Sequence, residues 1–271
     1  MSKRISVLAT LLLAIGGVSA QAADQTFTVR IENVSAANAL KLSNGKAEPV
    51  GVAPVLYVIH TNRAPLFKSG EPDRGKGLEA LAEDGPTAPL EKSLKGQPGI
   101  VHVGSTDTPV GASSPGDIWP GQHFAFNVTA KPGERLTIAT MLVQSNDLFY
   151  APGEEGIALF DASGKPIAGD VTSQILLWDS GTEVNEEPGL GPNQAPLQPA
   201  PNTGPAEHGV VQPITEVKDG FHYPTVPELL RVTITPGSMA VHLTDHAMSE
   251  QAALAPSHLM SAPALASDRC G

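Results

Sequence analysis

Residues Gln174 to Glu187 read QILLWDSGTEVNEE. The apolar run Ile175-Leu176-Leu177-Trp178 has the character of a buried strand, and it stops abruptly at Asp179-Ser180-Gly181-Thr182-Glu183. Asp, Ser and Gly are turn residues, because short polar side chains bond the local backbone and glycine accepts positive φ. Upstream, a second apolar run, Leu136 to Val143, ends the same way in Gln144-Ser145-Asn146-Asp147. One aspartate at a strand tip is explained as a turn cap. Two such tips, with Glu183, Glu186 and Glu187 crowding behind one of them, suit a hard cation, because Ca²⁺ takes six to eight oxygens from carboxylates, carbonyls and water.

Outward from these strands the chain keeps a β pattern. Phe27 to Glu32 alternates apolar and polar, as a half-buried strand does. Val55 to His60 is an unbroken apolar run suited to a central strand, with His60 a packed or solvated residue at its end. Ile100 to Val103, Gln122 to Thr129 and Leu229 to Thr235 complete the clearest strands. Lys131-Pro132-Gly133-Glu134 is turn chemistry, so Gln122–Thr129 and Leu136–Val143 are expected to form a hairpin. Gly156–Phe160 and Val171–Trp178 are expected to pair across Asp161–Lys165, and Trp119 to plug one end of the fold. Helical period occurs only at Gly77 to Asp84, stopped by Gly85, and after Thr87, where Leu90 and Leu94 share a face. These two short helices are expected over one end of a sheet.

Composition agrees. Gly (27) and Pro (25) are abundant and aromatics make only 4% of the chain, which points to short strands joined by turns. The first residues read as a secretory signal, 1–22: a basic start at Lys3 and Arg4, an apolar stretch from Val7 to Ile15, then small residues around Val18 to Ala22. Export to the periplasm or the cell exterior is therefore expected, with no membrane span. Without Lys3 and Arg4, 15 basic residues face 28 acidic ones, a net charge of −13. That field repels nucleic acid and anionic membranes and favours cations and basic partners. The lone Cys270 forms no internal disulfide, so apolar packing has to hold the fold.

From Val184 to Pro213 the chain is Pro, Gly, Asn, Gln and Glu with little periodicity, and a loop of that length is either disordered or functional. After Pro236 the patterning fades, and 237–271 reads as a tail in which His242 and His246 are a solvated pair rather than ligands. No Gly-x-Ser-x-Gly elbow and no His-Glu-x-x-His helix occurs. Asp147 and Asp179 also fit a glycosidase-like carboxylate pair, but further acids beside them would more simply share a cation. No catalytic residues are assigned.

Five segments, taken in order, resemble the spondin N-terminal domain of F-spondin, mindin and many bacterial secreted proteins. They are GKGLEALAEDG (75–85), SPGDIW (114–119), MLVQSNDLFYAP (141–152), LLWDSGTEVNEE (176–187) and DGFHYPTVPELLRVTI (219–234). The resemblance spans roughly 25–236 and implies an all-β, antiparallel β-sandwich of the C2-like kind with roughly eight strands, occupying 23–236. It implies a divalent ion, Ca²⁺, held by loops at one end through Asp147, Asp179 and Glu183, the last standing where the family often has a second aspartate. It further implies a non-catalytic adhesion or interaction module whose partner is a protein or a polysaccharide. The family's aromatic beside the first acid is replaced here by Leu148, and its cysteines have no counterpart. A Ca²⁺-dependent carbohydrate-binding module and a metal-dependent hydrolase are the alternatives.

Overall fold

The computed structural model describes residues 24–237. The expected leader, Cys270, the His242/His246 pair and the tail from 238 onward lie outside the described residues.

In chain order the strands begin with β1 (Gln25–Asn33), a small ribbon of β2 (Leu40–Lys41) and β3 (Ala47–Glu48), and β4 (Val55–His60). Helices α1 (Leu78–Asp84) and α2 (Ala88–Leu94) follow, then β5 (Ile100–Thr106), β6 (His123–Ala130), β7 (Arg135–Met141) and β8 (Leu148–Pro152). The remainder comprises β9 (Ile157–Ala158), β10 (Gly169–Asp170), β11 (Ile175–Asp179), β12 (Gln212–Pro213), a one-turn helix α3 (Val226–Leu229) and β13 (Leu230–Pro236). One sheet has the order β10-β13-β1-β6; the larger runs β12-β11-β8-β7-β4-β5, with β9 on the side of β7. All the pairings are antiparallel.

Why the sheets stack follows from what each strand buries. In β1, Phe27, Val29 and Ile31 are fully buried while Thr28 and Arg30 turn outward, so this sheet has one wet face. The inward residues join Val55, Ile59, Leu136, Ile138, Tyr150 and Leu177 of the larger sheet in a single apolar cluster, the core of a β-sandwich. The larger sheet is covered on both faces. Its outer side, with Leu56, Val58, Phe149 and Trp178, packs under Leu78 and Leu81 of α1 and Leu90 and Leu94 of α2. That is why β4 reads as a continuous apolar run instead of alternating. The helices thus lie on a sheet face, where the sequence pattern suggested an end.

Local signals at the helices hold. Gly85 adopts φ 87° and its N–H closes onto Leu81 O, stopping α1 with a left-handed residue. Thr87 stands at the N-cap of α2 without a side-chain capping bond. His60 is a packed residue, its ring bonded to Asn62 O and Thr137 Oγ1.

Pairing differs from the sequence expectation at two points. β6 and β7 form no hairpin: β6 pairs with β1 in the smaller sheet, while β7 lies in the other between β4 and β8. The Lys131–Glu134 turn therefore carries the chain across the sandwich. Likewise β9 pairs with β7, not β11, because β11 is taken by β8 on one side and β12 on the other. In β1–β6 strands distant in sequence pair because their inward faces complete one core, so burial overrides the nearest-neighbour rule there. Trp119 is 38% exposed, with its ring edge against the buried Gly51, so it is not the buried plug expected.

Candidate metal centre

The centre is built where β8 and β11 run side by side. Their register sets Asp179 opposite Leu148, so Asp147, the residue before β8, arrives next to the end of β11. The connection from β7 to β8 is tight: Ser145 Oγ donates to Leu142 O (2.7 Å) and accepts from Leu148 N (3.1 Å). All four residues Gln144 to Asp147 are buried. Gln144 Oε1 is anchored by Gly51 N, and Asn146 Oδ1 accepts from Glu186 N (3.1 Å).

Asp147 and Asp179 are both wholly buried. Asp147 Oδ2 accepts from Thr182 N (2.9 Å), Glu183 N (3.1 Å) and Ser180 Oγ (3.0 Å). Its other oxygen, Oδ1, is buried with no hydrogen-bond partner. Asp179 Oδ1 accepts from Gly181 N (2.7 Å) and Oδ2 from Asn185 Nδ2 (2.9 Å). One oxygen each from Asp147, Asp179 and the exposed Glu207 lie within 4.8 Å of one another. Two oxygens bound at 2.3–2.6 Å to one Ca²⁺ are separated by no more than about 5 Å, so the spacing fits a shared cation.

Electrostatics point the same way. Burial, and then the neighbouring Asp179 carboxylate, push Asp147 up to about 7. Burial also raises Asp179. Glu207 is raised by burial, by Asp179 and by Asp219, so a fourth acid stands within electrostatic reach. An unpartnered buried carboxylate oxygen beside two further carboxylates is costly unless a proton or a metal ion compensates it. A cation with open coordination positions for water fits these residues.

Of the expected ligands, the structure brings Asp147 and Asp179 together and turns Glu183 elsewhere. Glu183 is buried, and its carboxylate accepts from Asn146 Nδ2 (3.2 Å) and Gly204 N (2.8 Å). Glu186 likewise binds Asn193, and Glu187 binds Ser43. These acids fasten the 184–213 segment, which is folded onto the site rather than loose. Val184 N donates to Pro205 O, Glu207 N to Thr182 O and Gly209 N to Gly181 O, so 205–209 returns antiparallel along 181–184. That return delivers Glu207. No local pattern in its neighbourhood, NTGPAEHGV, marks it as a ligand; only the tertiary pairing does. Gly181 has to be glycine here: φ is +69° and a Cβ would sit 2.6 Å from Val210 N.

A further acid was not singled out in the sequence. Glu83, on the inner side of α1, is buried with Oε2 unpartnered, and burial pushes it up to about 8. Asp147 and Glu183 both act on it electrostatically, so it borders the centre without belonging to it.

No protein-family model and no curated protein matches the chain. Among the described residues, no helix is long and apolar enough to cross a membrane.

Proposed function

We propose that this chain is an exported, non-catalytic calcium-binding module of the spondin N-terminal kind, in which Ca²⁺ fixes a long loop against the end of a β-sandwich. The observation that carries the proposal is a buried Asp147 whose Oδ1 has no hydrogen-bond partner, in a cluster where one carboxylate oxygen each of Asp147, Asp179 and Glu207 lie within 4.8 Å of one another. Calcium is favoured over a softer metal because the donor set is all oxygen, with no imidazole or thiolate in it. The ion neutralises three carboxylates that otherwise repel, and it joins two strand ends to the returning 205–209 segment. The outer surface of that loop is then held in one shape for a partner.

The test is calcium content by elemental analysis, with thermal unfolding before and after chelation. A lower melting temperature in EDTA, restored by CaCl₂, is expected, since a ligand bound only by the folded state at a hundredfold excess over Kd stabilises by about 2.7 kcal/mol. A chelator-insensitive melt with no calcium in the purified protein would defeat the proposal.

One observation favours a polysaccharide as partner. Phe221, 37% exposed, stands two residues beyond Asp219, the acid that acts on Asp179. An exposed ring is a platform for sugar stacking, and this version predicts retention on polysaccharide columns that is lost in EDTA.

A further inference from the structure

On the outer face of the larger sheet, away from the carboxylates, α2 and the 62–66 segment enclose a half-open cavity of about 310 Å³. Its apolar lining comes from Leu66, Leu90, Leu94 and Ile100. Leu90 and Leu94 are one helical turn apart on α2 and nearly buried, so they form the floor of the cavity. Pro65 and Pro98 form two of the walls and leave the backbone there little freedom. The volume is at the lower end of small-molecule sites.

The polar lining is unusual for this protein. The chain carries 28 acidic against 17 basic residues, yet Arg74 and Lys76 line the cavity and no Asp or Glu does. Arg74 Nη1 donates to Ala64 O (3.0 Å), which fixes the guanidinium at the cavity wall and leaves its other N–H groups for a ligand. The nearby Glu71 pairs with Lys68. Lys76 makes no ion pair among the described residues. Asn62 also lines the cavity; its Oδ1 is buried without a partner. Ala64, between Asn62 and Pro65, holds φ 52°, a left-handed conformation that costs a non-glycine residue energy and recurs at ligand clamps.

The geometry points to a binding site for a small organic carboxylate with a compact apolar body. The body fills the Leu66/Leu90/Leu94/Ile100 pocket, and the carboxylate is held by Arg74 and Lys76. Arginine's fork suits a carboxylate better than a point charge would, and the apolar floor separates this ligand class from inorganic anions. This site is independent of the proposed calcium centre.

The experiment is a ¹H–¹⁵N titration of the full labelled chain with sodium octanoate and sodium benzoate, each repeated with its neutral amide, with and without EDTA. Saturable shifts at Leu66, Leu94 and Ile100 at or below millimolar ligand are expected, unchanged by EDTA. The neutral amides are expected to bind at least fivefold more weakly. Lys76→Gln, at a side chain without an ion pair among the described residues, is expected to weaken octanoate threefold to tenfold with the fold intact. Arg74→Gln is expected to weaken it further, with the dispersed spectrum reporting whether the Ala64 contact was needed for folding. The inference falls if neither acid gives saturable shifts there up to 10 mM (about the ceiling of a meaningful site, a Kd of 1 mM being about −4 kcal/mol). It falls equally if the amides bind as well as the acids, or if Lys76→Gln changes nothing.

Discussion

Protons and calcium should compete at Asp147, and the structure sets how strongly. With no cation bound, the folded protein holds Asp147 at about 7, against an ordinary value of 3.8, chiefly because the carboxylate is buried and then because Asp179 faces it. An acid whose folded value is raised binds its proton more tightly folded than unfolded. Stability is therefore highest below about pH 4, falls as pH rises towards 7, and levels off above that. About three pH units at 1.36 kcal/mol each set an upper bound of about 4 kcal/mol on the loss. The four donor contacts to Oδ2, from Ser180, Thr182 and Glu183, already favour the anion and are included in that balance. Bound Ca²⁺ removes the reason to hold the proton, so the calcium-loaded protein should lose little stability over the same range. The assay is urea unfolding at steps from pH 4.5 to 8.5, in EDTA and in millimolar CaCl₂. The two curves should meet near pH 4.5 and separate progressively to pH 8. Asp147→Asn should flatten the EDTA curve and weaken the calcium response, because a neutral amide does not titrate and brings no negative charge to the cation. Parallel curves, or a chelated protein no less stable at pH 8 than at pH 5, would refute the argument.

Four further outcomes separate the roles of neighbouring residues. Glu83→Gln should stabilise the protein by roughly 2 kcal/mol at pH 8 and by little at pH 5, since burial raises Glu83 to about 8 and the ionised form is penalised above pH 4.5; urea midpoints at the two values check it. Glu207→Gln should weaken calcium binding at least tenfold in calorimetry with little change in metal-free stability, as its side chain is exposed. Glu183→Ala should do the opposite, costing about 1–3 kcal/mol and opening 184–206 to protease, because Asn146 Nδ2 and Gly204 N lose their acceptor. Gly181→Ala should lower both stability and calcium affinity, since a Cβ 2.6 Å from Val210 N forces the returning segment that carries Glu207 away from the aspartates; melting and titration together detect it.

Much of the fold is legible in the residue pattern alone. Period-two alternation in Phe27–Ile31, unbroken apolar runs in Val55–His60 and Ile175–Trp178, and turn residues between them require an all-β fold, because side-chain direction alternates along a strand. Gly85 and the Leu90/Leu94 spacing fixed both helices. The two aspartates were legible because each lies in the polar turn residues that close an apolar run, Asp179 at once and Asp147 four residues on, and a buried carboxylate needs compensation. Strand pairing and membership of the site, by contrast, come from packing in three dimensions. β6 and β7 look like a hairpin because the turn between them is short, yet they lie in opposite sheets, since the choice of neighbour depends on which faces complete a common core. Glu183 looked like a ligand because it follows Asp179 closely in sequence, but its carboxylate is bonded to Asn146 and Gly204. Glu207 lay in a segment with no periodicity and reached the aspartates through backbone pairing with 181–184. A coordination sphere is assembled by distance in space, and distances between residues far apart in the chain are not encoded locally.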